Sequence, residues 1–369
     1  MTLVKQSHDD SAVFPLLKDP AGYRPCQWDL TTDHGFRSYW VDLFRSHHAS
    51  LLEHAAKAYA DDIEGITAAI AQARSEFNTY LDRIADEPDA FGPLDVLAIC
   101  KRREDVLRNA GIADPYRLIK REENAKAIAL LPGLLAELDA MPHIERHTAL
   151  IEGVFAGNIF DMGAAETLKL YAEGDVDFAS VRAKLKPRPW RFDALDAWID
   201  RMAAAVQGQP YRAAVMFIDN AGPDVVLGML PFAREMVRLG TTVVLTANTE
   251  PSLNDVTHDE LVGLVAQVAA FDPVIAEALA DRTLRLVASG NWAPLIDLNR
   301  VSPALAAEVA ALPVGLVVLE GMGRSIESNF DAALTCDVLR LAMIKDAGVA
   351  RAIGAEPFDL AMRFSPLPA

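Results

Sequence analysis

The chain has 369 residues, 51% of them hydrophobic, and its 52 Asp and Glu outweigh 35 Lys and Arg for a formal charge of −17. That apolar content excludes global disorder, and the length suits one large domain or two. The acid excess argues against a nucleic-acid partner, and no apolar run reaches the ~18–20 residues of a membrane span.

The opening MTLVKQSHDDSAVF lacks an apolar leader core, and Cys26, Cys100 and Cys336 stand far apart without a CxxC pair. These features predict a cytoplasmic protein with buried, unpaired thiols. From Tyr39 to Leu185 apolar residues recur every three or four positions among good helix formers, as in SYWVDLFRSHHASLLEHAAKAYADDIEGITAAIAQARSEFNTYLDRIA. The period predicts a mostly helical subdomain over residues 1–185. NAKAIALLPGLLAELDAM continues it, with an expected break at Pro132-Gly133. Pro187-Arg188-Pro189 reads as a joint before the helix FDALDAWIDRMAAAV.

From Tyr211 the pattern changes. RAAVMFIDN, TTVVLTAN, RTLRLVASG and GLVVLEGMG are short apolar runs with polar endings, and helical segments separate the first three. Such alternation predicts an α/β domain over 186–369 with a parallel sheet buried on both faces. Ligands on such sheets collect beyond the carboxyl ends of the strands, so the polar endings are the candidate site.

The first run ends in Asp219-Asn220, and the second leads to Asn248 and then Asp255. Consecutive parallel strands are usually neighbours, so Asp219, Asn220 and Asp255 can meet on one cation. One neutral and two charged oxygen donors suit magnesium, manganese or another six-coordinate divalent ion. The same residues also make ordinary turns and helix caps. The fourth run ends in Glu320-Gly321-Met322-Gly323-Arg324, where Gly321 and Gly323 permit a tight turn whose amides, with Arg324, could hold phosphate. Lys345, read as lying on a helix in LRLAMIKDAG, is a further phosphate cation. Gly157-Asn158-Ile159-Phe160-Asp161-Met162-Gly163 reads as a break between helices, with Asn158 and Asp161 as polar site material. His143 and His147 lack the Glu position of a zinc-protease helix and read as a surface helix. His47-His48 reads as solvated, and Asp175-Val176-Asp177-Phe178 follows no apolar strand, so it is not an aspartate-nucleophile motif.

In order along the chain, FPLLKDPAGYRPCQWDLT, DPYRLIKREEN, AGNIFDMGA, KLKPRPW, DNAGPDVVLGMLPFAREMVRLGTTVVLTANTEPSLNDVTH, LEGMGRSIESNF and LAMIKDAG together resemble the metal-dependent damage-control phosphatases. That family was long catalogued as domain of unknown function eighty-nine, and the likeness lies nearest its pantothenate-kinase-linked branch. The resemblance implies a three-layer α/β/α sandwich with a helical N-terminal part. It implies a divalent metal (magnesium, manganese, cobalt or nickel) on Asp219, Asn220 and Asp255, and a small phosphorylated metabolite as partner. In that branch the substrate is 4′-phosphopantetheine or its oxidised forms. Positions matching the family's substrate side are Asn158, Asp161, Asn248, Gly323, Arg324 and Lys345. Asp161 is then the candidate acceptor of the attacking water's proton. A sugar-phosphate phosphatase of the same family and a carboxyl methyltransferase using S-adenosylmethionine are the alternatives. ThrAlaAsnThrGluPro at 246–251 and SerIleGluSerAsn at 325–329 depart from the animal pattern, and Glu250 and Glu327 add acid there.

Overall fold

The computed structural model describes residues 10–159, 182, 184–204 and 211–367. The periodic stretch from Tyr39 is two helices, α1 (His34–Ala58) and α2 (Ile63–Asp86), separated where the Asp62 carboxylate accepts the Gly65 N–H as a helix cap. With α3 (Val96–Asn109) they enclose a core of Trp40, Phe44, Leu51, Phe77, Leu81 and Ile99. Helix α4 (Arg117–Ala140) runs straight through Pro132, so the expected break is absent. Pro132 and Gly133 are exposed, while Leu131, Leu135 and Leu138 pack into the core below the sheet. Burial of that stripe outweighs the backbone bond that the proline removes.

Helix α5 (His143–Ile159), strand β1 (Phe192–Asp193) and helix α6 (Leu195–Ala204) follow. The α/β region then runs β2 (Ala213–Phe217), a π-helical turn at Asp224–Met229, α7 (Leu230–Arg238), β3 (Thr242–Ala247), α8 (His258–Ala269), α9 (Pro273–Ala280), β4 (Leu284–Ala288) and α10 (Pro303–Ala311). It ends with β5 (Val314–Glu320), a second π-helical turn at Gly323–Glu327, β6 (Asp337–Met343), α11 (Ala347–Ala352) and β7 (Leu360–Ser365). The sheet order is β1-β7-β6-β5-β2-β3-β4, parallel except for the β6–β7 pair. The four apolar runs are β2, β3, β4 and β5. The segment DVLRLAM, in contrast, is strand β6, so Lys345 lies just past a strand rather than on a helix.

Alternation along β2 sends Ala214 and Met216 to one face and Val215 and Phe217 to the other. The first face is covered by α4, α5, α7 and α8; the second is covered by α10 and by Phe14 and Leu17 of the N-terminal segment. Helices on both faces make the fold a three-layer α/β/α sandwich. Strand β2 is flanked by β3 on one side and β5 on the other, and the chain reverses its direction of sheet growth between them. That is the topological switch point, beyond whose strand ends ligands collect on such sheets.

Candidate active site

Around the carboxyl ends of β2 and β5 the fold buries a cluster of polar side chains deeply. Asp219, Asn220, Asp255, Asn248, Arg324, Asp224, Glu320 and Asn158 are all at most 5% exposed. Burial on this scale is tolerated only with partners, and the partners are visible.

Arg324 leaves the second π-helical turn and spans two loops. Its guanidinium pairs with Asp219 through Nη1 and lies 2.9 Å from Asp255 through Nη2. Nη2 also donates to Asn248 Oδ1 at 3.2 Å, and Asn248 Nδ2 donates to the same Asp255 oxygen at 2.8 Å. The loop carrying Asp255 is tied to the end of β2, where Val256 N–H donates to Asp219 O at 3.0 Å and Ala221 N–H to Asn254 O at 2.9 Å. Lys120 of α4, 1% exposed, fixes that loop from behind. Its ammonium meets Asp114 at 2.8 Å and Glu260 at 2.9 Å, and it donates to the Asp255 carbonyl oxygen at 3.4 Å. Asn124, one turn further along α4, accepts the Gly222 N–H at 2.6 Å.

Two carboxylates not singled out in the sequence, Asp224 and Glu320, stand behind Asp219 and Asn220. Asp224 Oδ2 accepts Asn220 Nδ2 at 2.8 Å, Asn220 N–H at 3.1 Å and Asn158 Nδ2 at 3.2 Å. Glu320 accepts Asp219 N–H at 2.8 Å and Asn158 Nδ2 at 2.9 Å. Burial pushes both carboxyls above the usual carboxylate range; the two repel each other's charge, and the neighbouring Lys345 ammonium pulls both back. One carboxylate oxygen from each of Asp219, Asp224 and Glu320 lies within 4.8 Å of the other two.

Asn158 and Gly157 occupy the last turn of α5 rather than a break between helices. A Cβ on Gly157 would come 2.8 Å from the Asp224 Cα, so the missing side chain lets α5 bring Asn158 against the π-helical turn. Asn158 spends its N–H groups on Asp224 and Glu320 and accepts Met343 N–H at 3.3 Å. Gly321 has φ +94, and a Cβ there would overlap Asp219 Oδ2 at 2.2 Å. Its N–H donates to Leu341 O at 2.9 Å, so the amide continues the β5–β6 ladder and is not offered to a phosphate. Lys345 N–H meets Met322 Sδ at 3.3 Å, which holds that lysine beside the Gly321–Gly323 turn. Asp161 lies outside the described residues, as does the Asp175–Phe178 segment.

The donor set suits a hard divalent cation. It is oxygen throughout, Asn220 turns its N–H groups to carboxylates, and Asp224 Oδ1 is buried without a hydrogen-bond partner. An orphaned carboxylate oxygen at this depth is expensive unless a cation shares the site.

A family model, the damage-control phosphatase ARMT1-like domain, matches residues 42–360. A protein of Oryza sativa subsp. japonica named pantothenate kinase 2 is 40% identical, the match covering 96% of this chain and 41% of that protein. A Mus musculus protein named 4′-phosphopantetheine phosphatase is 31% identical over 95% of this chain and 48% of its own length. The chain therefore spans less than half of these two relatives. A damage-control phosphatase of Arabidopsis thaliana is 36% identical, with 88% of this chain and 87% of the relative covered. The solved structure of a DUF89 family protein from Pyrococcus horikoshii has the same fold, with a TM-score of 0.61 at 14% identity over 88% of this chain and 96% of that one. A matched domain that takes in both the helical half and every strand-end residue above, together with a relative of similar length, identifies the chain as a member of the ARMT1-like damage-control phosphatase family.

Proposed function

We propose that this chain is a metal-dependent phosphomonoester hydrolase acting on 4′-phosphopantetheine or an oxidised form of it. The observation that carries the reading is the convergence of Asp219 and Asp255 on Arg324 at the switch point between β2 and β5, with Asn220 donating to Asp219 beside them. The substrate class rests on the name of the mouse relative, 31% identical over nearly the whole chain.

Asp219, Asn220 and Asp255 are the residues to hold the ion. When bound, a divalent cation supplies positive charge to a phosphoryl oxygen and acidifies a nearby water. Arg324 spends Nη1 on Asp219 and the Pro294 carbonyl and Nη2 on Asp255 and Asn248, so it holds the two loops of the ion site together. A phosphoryl group takes its planar fork by displacing those partners as Asp219 and Asp255 turn to the ion. Lys345 adds a second cation on the β6 side. Glu320 and Asp224 hold the backbone N–H groups of Asp219 and Asn220 from behind, and Asn158 donates to both carboxylates. The attacking water's proton goes to a carboxylate, with Asp161 as our assignment.

Phosphate release is measured from 4′-phosphopantetheine, its sulfonate and fructose phosphates, after chelation and re-addition of magnesium, manganese, cobalt or nickel. Metal-dependent release favouring the pantetheine compounds is expected. Release from sugar phosphates alone keeps the reaction and moves the substrate. No release with any ion overturns the hydrolase reading.

A further inference from the structure

The sequence pattern put His143 and His147 on a surface helix, and the fold does not. His147 is 0% exposed, and neither of its ring nitrogens has a hydrogen-bond partner. An imidazole always carries one N–H or lone pair to satisfy at each nitrogen, and leaving both bare inside a protein is costly. Its ring packs edge-on against His143 at 4.6 Å and Trp198 at 6.4 Å, contacts that supply packing but no hydrogen bond. One helical turn before it, His143 is only partly buried, and Glu235 of α7 is 3% exposed. One ligand atom from each of His143, His147 and Glu235 lies within 4.8 Å of the others.

We propose that His143, His147 and Glu235 form a second cation site, separate from the strand-end site, that takes a nitrogen-preferring transition metal and clamps α5 to α7. Two imidazoles one helical turn apart plus a carboxylate are a zinc- or nickel-type donor set, and side-chain rotation brings such atoms to a common centre at ~2.0–2.1 Å. With neither ring nitrogen of His147 committed to a hydrogen bond, one is open to a metal. Glu235 is oriented by Arg146, at 2.9 Å and 3.2 Å to its two oxygens, and by Arg238 at 3.4 Å. The metal shares the carboxylate with Arg146, while Arg238 has Asp139 as a second partner. Magnesium prefers oxygen donors, so it is excluded here and favoured at the strand ends. His147 precedes Asn158 by 11 residues, about 16 Å along α5, so the clamp secures the helix that brings Asn158 to the active site.

Zinc uptake by metal-stripped protein tests this, using equilibrium dialysis and metal analysis. The D219N/D255N double variant removes two of the strand-end carboxylates, D219N/D255N/E320Q a third, and wild type in excess magnesium serves if those variants do not fold. One equivalent of zinc is expected in each, with a rise of several degrees in melting temperature. His143→Ala, on a partly exposed ring, is expected to melt like its parent in chelator and to lose both the zinc and the rise. Cobalt in place of zinc is expected to give visible absorption bands that vanish in the same variant. Absence of zinc uptake under all parent conditions overturns the proposal, as does zinc retained by the His143→Ala protein.

Discussion

The core of α1–α3 and the carboxyl end of the sheet bury polar groups by different means. Around His48 the helices remove charge: the ring is 1% exposed, packs 4.6 Å from Phe77, and is pulled down by burial to about 4. At the sheet end polar groups are partnered instead. Asp219 and Asp255 share Arg324, Lys120 joins Asp114 to Glu260, and amide donors from Asn220 and Asn158 feed Asp224 and Glu320. A neutralised group depends only on its own burial. A partnered group depends on every neighbour, so single substitutions there do not add.

The largest break comes from Asp219→Ala, expected to cut turnover by on the order of 10^3-fold or more, with a cooperative melt retained. Turnover within tenfold of wild type would remove Asp219 from the chemistry. Arg324→Ala leaves Asp219 and Asp255 facing each other, and loss of one partner from a buried pair costs about 3–5 kcal/mol. Melting in chelator is expected to drop accordingly, and manganese is expected to restore more stability to the variant than it adds to wild type. Equal melting of the two proteins in chelator would mean that Arg324 does not hold the loops together.

The helical side is probed by pH. The folded pKa of His48 lies below the unfolded value of 6.5, so the native state binds fewer protons. Its stability contribution is complete above about pH 6.5 and is lost as pH falls toward 4, roughly 3 kcal/mol in all. His147 acts in the same direction. His48→Leu is expected to flatten the denaturant midpoint over that window, and an unchanged slope would show that the ring is not buried neutral. The smallest effect is that of Glu320→Gln, which puts an amide N–H against either Asp219 N–H or Asn158 Nδ2. Residues that orient metal ligands typically cost 10–100-fold when changed, so metal affinity and turnover are expected to fall together by about that factor. A fall in turnover with metal affinity unchanged would place Glu320 in the reaction instead.

The strands β2 to β5 were legible because two-sided burial writes a continuous apolar run. Strand β6 was not, because Arg340 interrupts DVLRLAM and gives it a helix-like spacing. The buried Arg340 is accommodated by the carbonyl oxygens of Asn329 and Ala332, which no local pattern announces. Pro132 misled for the converse reason, since its exposed position hides the buried stripe on the other side of α4. In the site, Asp219, Asn220 and Asp255 stood out as polar endings of apolar runs, and Arg324 as a cation beside a double glycine. Asp224 carries no signal of its own in the sequence, and Glu320 reads as the last residue of an apolar run. Their roles exist only once α5, β2 and β5 meet. The glycine at 321, by contrast, was read for its amide, while the structure uses its lack of a side chain against Asp219.

The bond from Asp219 N–H to Glu320 joins residues 101 apart in the chain. During synthesis at ~5–20 residues per second, Asp219 waits roughly 5–20 s for the partners supplied by β5 and the turn after it. Until then the β2 end exposes acid that nothing neutralises, and long-range pairing of this kind is slow to form. The candidate site is thus among the last parts of the molecule to acquire its shape, and a nascent chain released before Val314 would hold strands β1 to β4 and neither Glu320 nor Arg324.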